Sequence, residues 1–315
     1  MNDPAAFVEE AIRRLREDVP DRAIVAASGG IDSTVAALLA HRALGDRSKA
    51  IFVDTGLLRA GEIEQVGRFF TASHLPYELI PAADRFFHAL AGVEDAEEKR
   101  RRIGATFVRV FEVEADKFGT DRLVQGTIAP DWIESGGQLR DTIKTHHNVG
   151  GIPKDMRLKL VEPLRDLYKD EVRAVARFLG VPEAERQPFP GPGLAVRVNG
   201  PVTPERVERV RVANAIVEEE VERAVAAKEM ARPWQYFAVL LPVRTVGVTG
   251  DNRVHGEAVV VRVVESVDAM TATAMAVPRP VLARISERVT RALAGAVVRT
   301  LYDITDKPPA TIEWE

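Results

Sequence analysis

The chain is 315 residues long, carries a net charge of −4, and is 46% hydrophobic and 29% charged, with no cysteine. That length allows two domains of ordinary globular composition, and the acidic balance argues against broad nucleic-acid binding. The missing thiols exclude disulfides, thiolate metal sites and a cysteine nucleophile. No apolar run has the length of a membrane span, and MNDPAAFVEEAIRRLRED is too acidic for a signal peptide. The expectation is a cytoplasmic protein with no membrane or nucleic-acid partner.

Residues 5–18 read as an amphipathic helix, with Phe7, Val8, Ala11, Ile12 and Leu15 on one face. Ala23 to Ala27 then reads as a buried parallel strand. Ser28-Gly29-Gly30-Ile31-Asp32-Ser33 is a glycine-rich turn, and Thr34 to Leu44 a helix stopped by Gly45. Strand, glycine turn and helix N-terminus together make an anion site, because unpaired N–H groups and the helix dipole converge there. Gly29 and Gly30 admit close approach of a phosphate, and Ser28, Ser33 and Thr34 add hydroxyls. Asp32 would repel a bare phosphate, which points to a bridging Mg²⁺. The spacing is neither a Walker A loop nor a dinucleotide fingerprint. A plain βα turn capped by Ser or Asp is the alternative.

Lys49 to Asp54 is a second strand, closing a βαβ unit of a parallel sheet. Asp54 ends it at the carboxyl edge, where open α/β sheets bind ligands; a turn-capping aspartate explains it equally well. A helix over 62–73, a strand over 77–80, a helix over 84–90 and a long helix over 97–118 follow. The basic run Lys99-Arg100-Arg101-Arg102 reads either as a solvated face or as a docking site for a phosphate-bearing substrate. Arg122 to Gln125 is a strand ending at Gly126-Thr127.

Residues 128–158 break the alternation and read as an active-site lid containing Lys144, His146 and His147. Two histidines without a third ligand at metal spacing favour phosphate contacts over zinc, with plain surface-loop residues as the alternative. A strand over 158–163 and a helix over 168–179 complete the first half. Pro188-Phe189-Pro190-Gly191-Pro192-Gly193 reads as a stiff linker, and the domain boundary is placed at 187/188. The second half predicts helices over 205–230 and 281–293, strands over 236–242, 244–248, 257–264 and 297–302, and a largely antiparallel sheet. The fold class is therefore α/β: a parallel-sheet domain over 1–187, then a small α+β domain over 188–315.

SGGIDS resembles the pyrophosphate loop of the N-type ATP pyrophosphatases, which split ATP between its α and β phosphates. Further stretches are similar to one family, GMP synthetase: VDTGLLR (53–59), EKRRRIG (98–104), GTIAPDWIES (126–135), IKTHHNVGGIP (143–153), EPLRDLYKDEVR (162–173), PFPGPGLAVR (188–197), LLPVRTVGVTGD (240–251) and YDITDKPPATIEWE (302–315). The resemblance implies adenylation of XMP by ATP with Mg²⁺, then amination by ammonia to GMP, with AMP and pyrophosphate released. It implies that Ser28, Gly29, Gly30, Ile31, Asp32, Ser33 and Thr34 hold pyrophosphate, that Asp32 reaches Mg²⁺, and that Val53 and Asp54 lie beside adenosine. It places Arg100, Gly126, Thr127, Pro130, Asp131, Lys307 and Glu313 around XMP, and Lys144, His146 and His147 on the reacting phosphate. The second domain implies a homodimer. Gln187 stands where the family usually has histidine, and DNRVHGEAVVVR (251–262) is less tyrosine-rich than usual. Without a cysteine, and starting close before the loop, the chain is expected to be the synthetase subunit that takes ammonia from a separate glutamine amidotransferase. NAD synthetase shares SGGxDS and is the nearest rival; a tRNA-modifying enzyme and a non-catalytic nucleotide-binding module are the others.

Overall fold

The computed structural model describes residues 3–129, 155–182, 187–267 and 269–315. They fall into two compact units: Met1–Gly56, Gly61–Ala89 and Arg100–Glu185 form one, and Leu57–Ala60, Leu90–Lys99 and Arg186–Glu315 the other.

The first unit is built on five parallel strands: β1 (Ala23–Ala26), β2 (Ser48–Asp54), β3 (Tyr77–Pro81), β4 (Arg122–Val124) and β5 (Lys159–Val161). Their order is β3-β2-β1-β4-β5. The chain adds strands on one side of β1, then returns to add β4 on its other side. β1 is therefore the topological switch point, and the crevice beyond its carboxyl end is where such sheets take ligands. Its first three residues are buried, as expected of a central parallel strand.

Helix α1 (Pro4–Asp18) starts on the Asp3 side chain, which accepts from Ala5 N at 2.9 Å, and on Pro4 in its first turn. It buries Val8, Ala11 and Leu15. Helix α2 (Ile31–Leu44) begins three residues earlier than the apolar pattern predicts, because its first turn is the polar part of the glycine loop. It is apolar on nearly every side and packs against β1, α1 and the later helix α6 (Lys169–Leu179). Helices α3 (Glu62–Ala72), α4 (Ala83–Leu90) and α5 (Ala96–Phe118) complete the chain up to β4.

The second unit carries a long hairpin, β6 (Gln235–Thr249) and β7 (Asn252–Glu265), turned at Gly250. Two separate strands are predicted over 236–248, but one strand forms, its register slipping between Leu241 and Thr245. Pro242 lacks an N–H, so the ladder bulges there instead of ending. β8 (Thr273–Ala274) pairs antiparallel with β7, while β9 (Val297–Tyr302) pairs parallel with it. The parallel pair departs from a purely antiparallel sheet because helix α8 (Arg279–Ala292) carries the chain back as a crossover. Helix α7 (Pro204–Ala226) is capped by Thr203, whose hydroxyl accepts from Arg206 N at 3.2 Å.

PFPGPG is not a linker in this unit. It leads into a buried 3-10 turn, Gly193–Arg197. A Cβ at Gly193 would sit 2.5 Å from Leu57 O, at a φ of +65°, so only glycine fits. Gln187 accepts from Tyr236 N at 3.0 Å and donates to Glu218 at 2.7 Å, so its uncharged amide ties α7 to β6.

Glu220 on α7 is fully buried and receives Arg288 at 2.7 Å, Arg284 at 3.0 Å and Arg223 at 3.0 Å. Burial alone would raise its pKa, but the hydrogen bonds of Arg288 and Arg284 and the charge of Arg223 outweigh it and hold it below 4.5. A depressed carboxyl stabilises the fold above its unfolded value and loses that stabilisation as pH falls through the folded one. Glu220→Gln is expected to cost about 2 kcal/mol near pH 7, less than a wholly buried pair because the arginines are partly exposed. Urea unfolding should show that gap closing as the pH is lowered through 4.5 and below.

Candidate functional site

The site in the first unit grows from the turn after β1. Gly29 has a φ of +82°, and a Cβ there would lie 2.5 Å from Val66 Cγ2, so the turn requires glycine. The hydroxyls then fold the loop on itself. Ser33 Oγ receives Ser28 N at 3.1 Å, lies 3.0 Å from Ser28 Oγ and donates to Gly30 O at 3.0 Å. Thr34 Oγ1 donates to the same carbonyl at 2.8 Å. These bonds fix the turn while the first N–H groups of α2, which have no partner inside the helix, stay directed to the loop side. Ser28 and Gly30 are exposed, Ile31, Asp32 and Ser33 half-buried, and Gly29 and Thr34 buried. A ligand therefore meets a rigid rim.

Gly126, at the end of β4, closes the other wall. A Cβ there would stand 2.7 Å from Ser33 N and 2.8 Å from Asp32 O. The strand end and the helix N-terminus touch backbone to backbone, which brings Gly126 and the buried Thr127 into the same crevice. At the end of β2, Asp54 Oδ1 accepts from Gly56 N at 2.9 Å, so its carboxylate braces the turn as a capping aspartate does. Val53 is buried beside it.

Asp32 stands at the mouth. Its Oδ2 receives Lys169 Nζ at 3.0 Å, whereas its Oδ1 is buried and has no hydrogen-bond partner among the described residues. An orphaned carboxylate oxygen next to an anion loop fits a divalent cation or its bound water, since Mg²⁺ takes one or two carboxylates and completes its shell with phosphates and water. Among the described residues no group of three or more His, Asp or Glu could hold a metal alone. The stretch EPLRDLYKDEVR contains Lys169, but nothing in its spacing assigns that residue to the glycine loop. It is the first residue of α6, far along the chain, and only the sheet order β1-β4-β5 brings that helix start beside α2.

The basic run on α5 is not a uniform solvated face. Lys99 is fully buried, donates to Val198 O at 2.8 Å and pairs with Glu315, both within the second unit. Burial pushes its pKa down against the pull of the Glu315 carboxylate. Arg102 donates to Ala89 O at 3.0 Å in the first unit, and Arg100 there is half-buried. Lys307 and Glu313 belong to the second unit. Lys307 Nζ donates to Ala269 O at 2.8 Å, and Glu313 pairs with Arg197 at 2.8 Å. Pro130, Asp131, Lys144, His146 and His147, and most of the lid expected over 128–158, lie outside the described residues.

Comparison with known proteins decides the family. The chain is 59% identical to a subunit of the glutamine-hydrolyzing GMP synthase of Pyrococcus horikoshii, over 99% of this chain and 100% of that one. It belongs to the GMP synthase family. The corresponding GMP synthase subunit of Thermoplasma acidophilum is 52% identical over 99% of both chains. GMP synthase of Thermosynechococcus vestitus is 52% identical over 99% of this chain and 60% of its own length. The family model for the GMP synthase C terminal domain matches residues 219–314. NMN synthetase of Francisella tularensis shares the fold at 16% identity, with a TM-score of 0.50 over 62% of this chain and 79% of that one.

Gly126→Ala tests the backbone contact. The methyl group meets main chain, which cannot rotate away, so it must push the N-terminus of α2 off the loop. The expected result is at least about a tenfold loss of affinity for pyrophosphate, roughly 1.4 kcal/mol, with circular dichroism unchanged.

Proposed function

We propose that this chain forms GMP from XMP, ATP and ammonia, releasing AMP and pyrophosphate. Identity of 59% along the whole chain to a GMP synthase subunit carries that reading, and the glycine loop at the switch point of the first unit supports it. The loop N–H groups and the Ser28 hydroxyl bind the β and γ phosphates of ATP, while the Ser33 and Thr34 hydroxyls hold the turn in shape through Gly30 O. The C2 oxygen of XMP attacks the α-phosphorus, the α–β bridging bond breaks, and pyrophosphate leaves into the loop that already holds it. Ammonia then adds at C2 and AMP departs with the former C2 oxygen. Because the loop is preorganised, charge arriving on the leaving pyrophosphate meets donors already in place.

Asp32 Oδ1 would hold Mg²⁺, which neutralises phosphate charge when bound. Lys169 has two roles in this reading. Without nucleotide it neutralises Asp32; with nucleotide its ammonium turns to the phosphates, a move open to a side chain that is 57% exposed. Lys144, His146 and His147 act on the reacting phosphate, and Arg100, Thr127, Lys307 and Glu313 bind XMP. Ammonia comes from a separate glutamine-hydrolysing subunit. Two copies of the chain pair through the second unit, where Val243, Val246 and Val248 on β6 and Leu301 on β9 expose apolar surface.

The direct test is to mix XMP, ATP and ammonium with the purified chain and follow GMP and AMP. GMP forms, and deamido-NAD gives no AMP; the reverse outcome moves the chain to NAD synthesis. Asp32→Asn and Lys169→Met should each lower kcat by about a hundredfold, the scale expected for losing one preorganised charged contact to a transferring phosphate. A Lys169→Met enzyme with wild-type kinetics removes Lys169 from the site. Glutamine in place of ammonium should support no turnover by this chain alone.

A further inference from the structure

The second unit contains a cation that no solvent reaches. Arg197 is 1% exposed, at the end of the 3-10 turn that follows PFPGPG. Its guanidinium lies 4.2 Å from the centroid of Phe237 and 5.2 Å from that of Phe189. The two rings confine it, and Asn214 Oδ1 receives its Nη1 at 3.2 Å. A buried arginine is tolerated only when its donors are met and its charge balanced. Glu313 balances it: Nη2 donates to Oε1 at 2.8 Å and Nε to Oε2 at 3.1 Å, a two-bond fork.

Gln235 adds a third constraint. It is 3% exposed, is anchored by donating to Pro188 O at 3.1 Å, and donates to Glu313 Oε1 at 2.9 Å. Each carboxylate oxygen offers two lone pairs. Among the described residues, Oε1 has both engaged, by Arg197 and Gln235, and Oε2 has one. Glu313 is 19% exposed at its side chain, so it still reaches the surface. The carboxylate is thus fixed in plane and direction, with one acceptor position left on Oε2.

We infer that Arg197 is a positioning residue: with Gln235 it aims that single open acceptor of Glu313 at one hydroxyl or N–H donor of the nucleotide substrate. The inference rests on the reading above that Glu313 faces XMP. It assigns a purpose to a buried charge that the stability of the fold does not demand, since an apolar side chain of similar volume between two phenylalanines would serve packing as well. Arg197→Lys keeps the charge but cannot span both oxygens, because an ammonium lacks the planar fork.

The test combines kinetics with amide exchange on the full chain. Arg197→Lys raises KM for XMP about tenfold, leaves KM for ATP within about twofold, and in a Glu313→Ala background produces no further change. In ligand-free protein it also accelerates exchange at residues 311–315. Wild-type KM for XMP in a folded Arg197→Lys enzyme, or an equal effect in the Glu313→Ala background, overturns the inference. If Arg197→Lys does not fold, Gln235→Met is measured in its place, with a KM rise of about fivefold expected and a wild-type value fatal. Should the wild-type chain not use XMP at all, the functional reading fails, and exchange at 311–315 still decides the positioning: unchanged rates overturn it.

Discussion

The contact on which the first unit depends is the meeting of two backbones, Gly126 against Asp32 and Ser33. A parallel sheet whose order reverses at β1 leaves a crevice at one point only, between the strand ends flanking that reversal. Helix α2 has to begin in that crevice, because the chain leaves β1 there with just four residues, Ala27 to Gly30, before the helix starts. The strand on the other side must then end without a side chain. Everything the loop does follows from the position this contact gives it: helix N–H groups face outward, the Ser33 and Thr34 hydroxyls are spent on Gly30 O, and one acidic oxygen at the mouth has no partner among the described residues.

The same loop explains why an aspartate is acceptable at its mouth. Asp32 is placed in the first turn of α2, where the helix dipole favours negative charge, and Lys169 neutralises it in the absence of ligand. A phosphate that displaces Lys169 from Asp32 would face bare carboxylate unless a cation arrived with it. On the proposed function, a divalent cation would answer to the charge arrangement of the site, with no dedicated cage of ligands among the described residues.

The second unit solves a different problem, that of holding its last dozen residues still. Ile312 joins the core cluster of Phe237, Val239, Val260 and Val264. Arg262, wholly buried, donates to Thr311 O at 3.2 Å and pairs with Asp303 at 3.3 Å. Trp314 Nε1 donates to Asp303 at 3.1 Å, and Asn199 to Glu315 at 2.8 Å. Terminal segments fray unless tied down; here Arg197, Arg262 and Lys99 hold this one at Glu313, Thr311 and Glu315. Such charges are costly to bury, and a tail retained only for packing would need none of them.

Elements with local signals are legible in the amino-acid order. β1, the glycine turn, α2 and β2 stand out because a buried strand, a positive φ and a helical apolar pattern each need only neighbouring residues. The family is legible for the same reason, since its motifs are short contiguous runs spread along the chain. Whatever depends on distant pairing had to wait for the folded molecule. Folding continued β6 through Pro242 and extended β7 back to Asn252, because a polar stretch becomes strand when its partner is one. It buried Lys99 inside a basic run that reads as a solvated face or a docking site, and set Lys169 against Asp32 across 137 residues of chain. It enclosed Arg197 between Phe189 and Phe237. No periodicity records these contacts, because each joins side chains whose separation along the sequence is unrelated to their separation in space.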